Sequence, residues 1–259
     1  MQGLGRDWGR CWKKPNNKYL INIFTYLLKN VIICCVMPRQ ARIYQKGLCY
    51  HLMNRGINGL NIFDDSGDCA YFSNVVKEYK EACDAQIYHW CWMDTHYHMM
   101  VEISFENLRA FAGGLQQVYA QYHHRRHGTS GVFWQGRYKS KPVEIGDYLV
   151  RCGRYIERNP VRAMLVDKAW KYQWSSAQYY VVGKNDELTD RNKYLYGSDL
   201  SDEERKYYGD VLSSTEDDEW MDRHSQYVAV GSERYLQTVR ARGGRFRLRR
   251  GRPSLCKNK

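Results

Sequence analysis

The chain has 259 residues, enough for one domain with extensions or two small ones, and enough to bury a core without covalent staples. Its nine cysteines form no C-x-x-C pair and no regular framework, which argues against a zinc ribbon or disulfide scaffold and for reduced thiols. The net charge of +12 is uneven: residues 1–36 carry +5, 37–185 carry +6, 186–230 carry −8 and 231–259 carry +9, so basic character sits in the centre and the tail, as in a chain that meets a polyanion.

Residues 1–36 begin with a basic stretch containing Lys13 and Lys14. Two apolar runs follow, Tyr19 to Leu28 and Val31 to Val36, each short of the ~20 residues of a membrane span. No small-residue cleavage site comes after them, so this extension is expected not to belong to the native protein, with translation starting at Met37 and no membrane partner. Leu48 to Arg55 reads as a strand ending in a turn at Gly56 to Gly59. Asp68 to Asp84 has the apolar spacing of an amphipathic helix, with Asp65, Ser66 or Asp68 as cap. Gln86 to Met93 and Tyr97 to Ile103 read as strands joined by a polar turn at Asp94-Thr95. A helix from Glu106 to about His124 is weakened by Gly113-Gly114, for which the sequence offers no reason. Val132 to Val143 reads as a fourth strand, and Asp147 to Asn159 as a third helix that Pro160 ends.

The order β-α-β-β-α-β-α predicts an α+β fold, the ferredoxin-like split βαβ: an antiparallel sheet with an added C-terminal helix and a helical appendage. The expected divisions are residues 37–180 for the main domain, 181–230 for an acidic, partly helical appendage and 231–259 for a basic Arg/Gly-rich tail. No Gly-rich phosphate loop appears, which argues against nucleoside-triphosphate and dinucleotide enzymes.

His96 and His98 are two apart, so on a strand both imidazoles point to one face while Tyr97 points to the other. Two neutral imidazoles make half of a metal site, although histidines packed in a core explain the pattern about as well. Tyr155 and Asn159 are four apart and share a helix face. A carboxamide oxygen from Asn159 as third ligand suits Mg²⁺ or Mn²⁺ on a phosphate oxygen, and Tyr155 is a candidate nucleophile, diluted by the 22 tyrosines in the chain.

Several blocks of the sequence then resemble one family, the single-tyrosine HUH transposases of the insertion-sequence and REP-associated kind. They are Met37 to Ile62, Met93 to Val101, Phe133-Trp134-Gln135-Gly136-Arg137-Tyr138 and Tyr155-Ile156-Glu157-Arg158-Asn159-Pro160-Val161-Arg162-Ala163. The resemblance spans about Met37 to Trp174. It implies a ferredoxin-like nuclease that nicks and rejoins hairpin-associated single-stranded DNA through a 5′-phosphotyrosine, with His96, His98 and Asn159 as metal ligands and Tyr155 as nucleophile. Asp94-Thr95 stands where the family has Pro-Asn, and Tyr97 is bulkier than the usual middle residue. A rolling-circle initiator or relaxase-like nuclease and a catalytically silent DNA-binding relative are the alternatives. Such a protein, monomer or homodimer, is expected in the cytoplasm with the nucleoid.

Arg137, Lys139 and Lys141 alternate along the fourth predicted strand and are candidate phosphate contacts, a solvated edge being the alternative. His123-His124-Arg125-Arg126-His127 ends a helix, where cations meet the dipole, and is read as structural. Arg250-Gly251-Arg252-Pro253 resembles an AT-hook core, so Arg250 and Arg252 are expected to enter an A·T-rich minor groove or to anchor DNA by charge alone.

Overall fold

The computed structural model describes residues 48–194, 200–224 and 229–243, and the chain divides into two units, Met1–Gln40 and Ala41–Lys259. The N-terminal extension, Met37 and the Arg250 to Pro253 motif all lie outside the described residues.

In the second unit the elements run β1 (Leu48–Arg55), α1 (Ser66–Ala82), β2 (Gln86–Met93), β3 (His96–Ile103), α2 (Phe105–His127), β4 (Lys139–Val143) and α3 (Asp147–Arg162). Four shorter helices follow: α4 (Ala177–Val182), α5 (Asp202–Leu212), α6 (Glu216–His224) and α7 (Glu233–Gly243). The sheet order β2-β3-β1-β4 with every pair antiparallel is the ferredoxin-like arrangement that the element order predicts. None of the described helices is long and apolar enough to cross a membrane.

Pairing fixes which side chains share a face, because Cα partners across a ladder point the same way. One face carries Tyr50, Leu52, Trp90, Trp92, Tyr97, Met99 and Val101, all buried against apolar positions of α1 and α2 such as Phe72, Val76, Phe111 and Leu115. Tyr97 does point into this core, where its hydroxyl accepts from Gln116 Nε2 at 2.7 Å. The opposite face packs Cys49, Cys91 and Met100 against Leu149, Cys152 and Ile156 of α3. The two faces thus separate the structural core from the surface that holds the histidines. The described cysteines 49, 69, 83, 91 and 152 are free and buried.

Gly114 has a packing reason invisible in the sequence: a Cβ there would lie 2.4 Å from the Tyr79 ring, so α1 and α2 approach too closely for any larger residue. Two boundaries differ from expectation. The fourth strand is only Lys139–Val143, because Trp134 spends its pairing on an isolated bridge to Gly56 and the backbone turns at Gly136, with φ 84°. Helix α3 does not stop before Pro160 but runs on to Arg162. Proline removes the N–H that the Ile156 carbonyl would normally receive, and Asn159 supplies the replacement: its Nδ2 donates to the carbonyls of Ile156 and Tyr155, both at 3.0 Å.

Candidate active site

His96 and His98 sit on β3 opposite Arg55 and Met53 of β1, on the sheet face that α3 covers. Their rings are 5.1 Å apart, and the Tyr155 ring of α3 stands edge-on to His98 at 6.2 Å. Tyr155 and the two histidines therefore converge from α3 and β3. Asn159 is one turn further along the same helix face.

Each ligand candidate has one polar atom occupied and another left over. His96 Nδ1 meets Thr95 Oγ1 at 3.0 Å, and His98 Nδ1 meets His51 Nε2 at 2.8 Å, so among the described residues it is Nε2 of each ring that has no hydrogen bond. Asn159 commits Nδ2 to two carbonyls, which turns its Oδ1 away from the helix backbone. Burial, with Arg55 adding to it, lowers the His96 pKa to about 4. His98 is held well below the ordinary value by burial, then by His51, His96, Arg162 and Lys141. Both rings are neutral at pH 7 and carry lone pairs. Two neighbouring imidazoles suit a divalent ion with positions left for substrate, whereas the contacts of the Asn159 side chain among the described residues are to its own helix and not to the histidines.

The phenol is tuned in opposite directions. Burial raises the Tyr155 pKa, while Arg162 lowers it, its guanidinium carbon lying 4.8 Å from the ring centre. Arg162 is in turn aimed by Asp222, whose two carboxylate oxygens accept from one guanidinium nitrogen at 2.8 and 2.9 Å. The helix is itself anchored on either side of the site. Glu157, fully buried, accepts from Ser176 Oγ at 2.7 Å and Tyr208 Oη at 2.8 Å and pairs with His89 Nδ1 at 2.9 Å. Arg158 donates to Asp218 at 2.9 Å from α3 to α6. A Cβ on Gly153 would lie 2.4 Å from the His89 ring, so α3 rests directly on β2. Within the block from Tyr155 to Arg162, then, Tyr155 meets the histidine face, Asn159 folds back onto its own helix, Ile156 fills the core, Glu157 and Arg158 bolt the helix down, and Arg162 returns to the phenol.

Lys139 and Lys141 pair with Met53 and His51, so both belong to the histidine face. Lys141 is half-buried, and desolvation lowers its pKa to about 8, whereas Lys139 is exposed. Arg137 is exposed but lies in the bend before β4, not on the strand.

Sequence reasoning did not single out His51, Arg162, Glu157 or His89. The parity of β1 hinted at His51, since His51, Met53 and Arg55 alternate as His96 and His98 do, but only the register places it beside His98.

Residues 44–159 match the family model described as "Transposase IS200 like". This segment is similar to the IS200-like transposase family. Of solved structures, a REP-associated tyrosine transposase bound to a REP hairpin is similar to 62% of this chain and 96% of its own, with 15% identity and a TM-score of 0.48. No curated protein matches. The element order and sheet topology are those expected from the sequence for this transposase family.

Proposed function

We propose that this transposase cuts and rejoins hairpin-associated single-stranded DNA through a covalent phosphotyrosine, using a Mg²⁺ or Mn²⁺ ion held by His96, His98 and Asn159. The observation that carries the reading is the approach of the Tyr155 ring to within 6.2 Å of His98, on the sheet face that also carries His96. A bound divalent ion would withdraw charge from the scissile phosphate.

The chain's own residues do the rest. Tyr155 Oη attacks phosphorus, the bond to the 3′ oxygen breaks, and a 5′-phosphotyrosine and a free 3′-hydroxyl result. The phenol gives up a proton and the departing oxygen gains one, so the step is proton-neutral. Because the ester stores the bond energy, a 3′-hydroxyl can reverse the step on a new strand without a nucleoside triphosphate. Arg162 offsets part of the cost that burial places on phenolate formation. Lys139, Lys141 and Arg137 are proposed to meet phosphates, and Arg250 and Arg252 to add sequence-tolerant affinity from the tail. In the proposed organisation residues 37–180 carry the chemistry and the acidic appendage braces α3, a role supported by the Arg158–Asp218 and Glu157–Tyr208 contacts.

The test is incubation of the protein with a labelled hairpin-bearing single strand and Mn²⁺, followed by a denaturing gel. Wild type should give a covalent protein–DNA adduct, and Tyr155→Phe, which keeps the ring and removes only the nucleophile, should give none. No adduct with wild type, or an adduct that persists in Tyr155→Phe, overturns the reading.

A further inference from the structure

A second group of metal-ligating side chains lies on the other face of the sheet. Asp64 precedes α1, Asp68 is in its first turn, and His123 and His127 are one turn apart at the end of α2. One ligand atom from each of the four falls within 4.8 Å of the others. A four-coordinate ion with bonds of about 2.0–2.1 Å spaces its ligands ~3.4 Å apart. The observed separations bracket that value: His127 Nε2 to Asp68 Oδ2 is 3.1 Å and His123 Nε2 to Asp64 Oδ2 is 3.4 Å.

His123 is the observation that a hydrogen-bond network alone does not explain. It is 2% exposed, and neither ring nitrogen has a hydrogen-bond partner among the described residues. Its neighbours are the rings of Phe133 at 4.7 Å, His127 at 4.2 Å and Tyr119 at 6.3 Å, and among the described residues the carboxylate within ion-pair reach is that of Asp64. Leaving both nitrogens of a buried imidazole unsatisfied is costly, and a metal bond relieves one of them.

The charges match as well. Arg126 pairs with Asp65 and with Asp68 Oδ1, and Asp68 Oδ2, though it accepts the Asp64 N–H at 3.0 Å, keeps a lone pair for an ion. Three carboxylates against one guanidinium leave two negative charges beside the two imidazoles. That is the charge of a divalent cation.

We infer that Asp64, Asp68, His123 and His127 form a structural site for a divalent transition metal, of which Zn²⁺ best suits a closed set of two imidazoles and two carboxylates. The ion would tie the start of α1 to the end of α2. From there the tie reaches two functional segments: Ile62 and Phe63 donate to the Asp94 carbonyl in the turn before His96, and the chain after α2 leads through Trp134 to β4. The inference does not depend on the phosphotyrosine reading, because it uses none of the residues assigned to that site.

The experiment separates the two sites. The full chain carrying His96→Ala and His98→Ala is stripped with a chelator and titrated with Co²⁺, followed by its d–d absorption, and with Zn²⁺, followed by metal analysis and thermal unfolding. One equivalent should bind, without thiolate charge-transfer bands, and Zn²⁺ should raise the unfolding temperature. Adding Asp64→Asn, a loop substitution that preserves shape, should weaken binding more than ~100-fold, since loss of an outer partner alone costs ~10–100-fold. His123→Phe should do the same and abolish the thermal shift. In the wild-type background Asp64→Asn should lower bound Zn²⁺ by one equivalent, an arm that does not depend on the double variant folding. Absence of binding in the histidine double variant while it is folded, a thiolate spectrum, or undiminished affinity in Asp64→Asn would each show that the cluster is only a polar network.

Discussion

Asn159 has two separable jobs, and a pair of substitutions distinguishes them. Asn159→Ala removes the Nδ2 donor and orphans the Ile156 carbonyl, which Pro160 already denies its helical N–H. Leaving one buried carbonyl unpaired costs about 1–3 kcal/mol, and here little compensation is available because Ile156 is fully buried and water cannot reach the gap. Pro160→Ala supplies an N–H at the right place, so Asn159→Ala/Pro160→Ala should recover most of the loss. Urea unfolding reads this as a midpoint that falls in the single variant and returns in the double, with an unchanged slope. The ligand role behaves differently, because Pro160→Ala restores no oxygen at position 159. Adduct formation and Mn²⁺ affinity should therefore stay low in the double variant. If Asn159→Ala costs no stability, or the double variant is as unstable as the single, the capping argument is wrong. If the double variant regains both stability and full adduct formation, Asn159 is not a ligand.

The His51 contact to His98 fixes which nitrogen of His98 faces the site, so His51→Ala should lower Mn²⁺ affinity ~10–100-fold while leaving the circular dichroism spectrum unchanged, as checked by metal titration. Glu157→Ala strands His89, Ser176 and Tyr208 around a buried void and should destabilise the protein by roughly 3–5 kcal/mol in denaturant melts, against near-neutral changes at the exposed Glu187. The metal-free protein should lose stability on acidification. His51 and His96 have folded pKa values lowered to about 3 and about 4 from 6.5, with burial the leading cause, so between about pH 6.5 and 4 the unfolded chain binds protons that the folded chain refuses. The sign is loss of stability as pH falls through that window, by up to ~1.4 kcal/mol per pH unit for each ring, and His51→Phe should flatten the slope of urea midpoint against pH.

The sequence alone determined the local periodicities: strands at Leu48–Arg55 and Gln86–Met93, the one-face placement of His96 and His98, and the shared helix face of Tyr155 and Asn159, because these depend only on spacings of two and four along regular backbone. It also carried the family through blocks of residues whose order no single motif could supply. Whatever depended on a partner distant along the chain was decided by the tertiary structure. Only the β1–β3 register brings His51 to His98, only the packing of α3 across β2 puts a buried Glu157 against His89, and only the contact with Tyr79 explains Gly114. Pro160 shows the boundary between the two: its missing N–H is written in the sequence and predicts a helix end, but the Asn159 side chain that folds back onto the Ile156 carbonyl carries the helix on to Arg162. The run from His123 to His127 changed most. Read along the chain it is a cationic helix end, but folding sets two of its imidazoles against Asp64 and Asp68 from another element, and a ligand set is defined by distances in space.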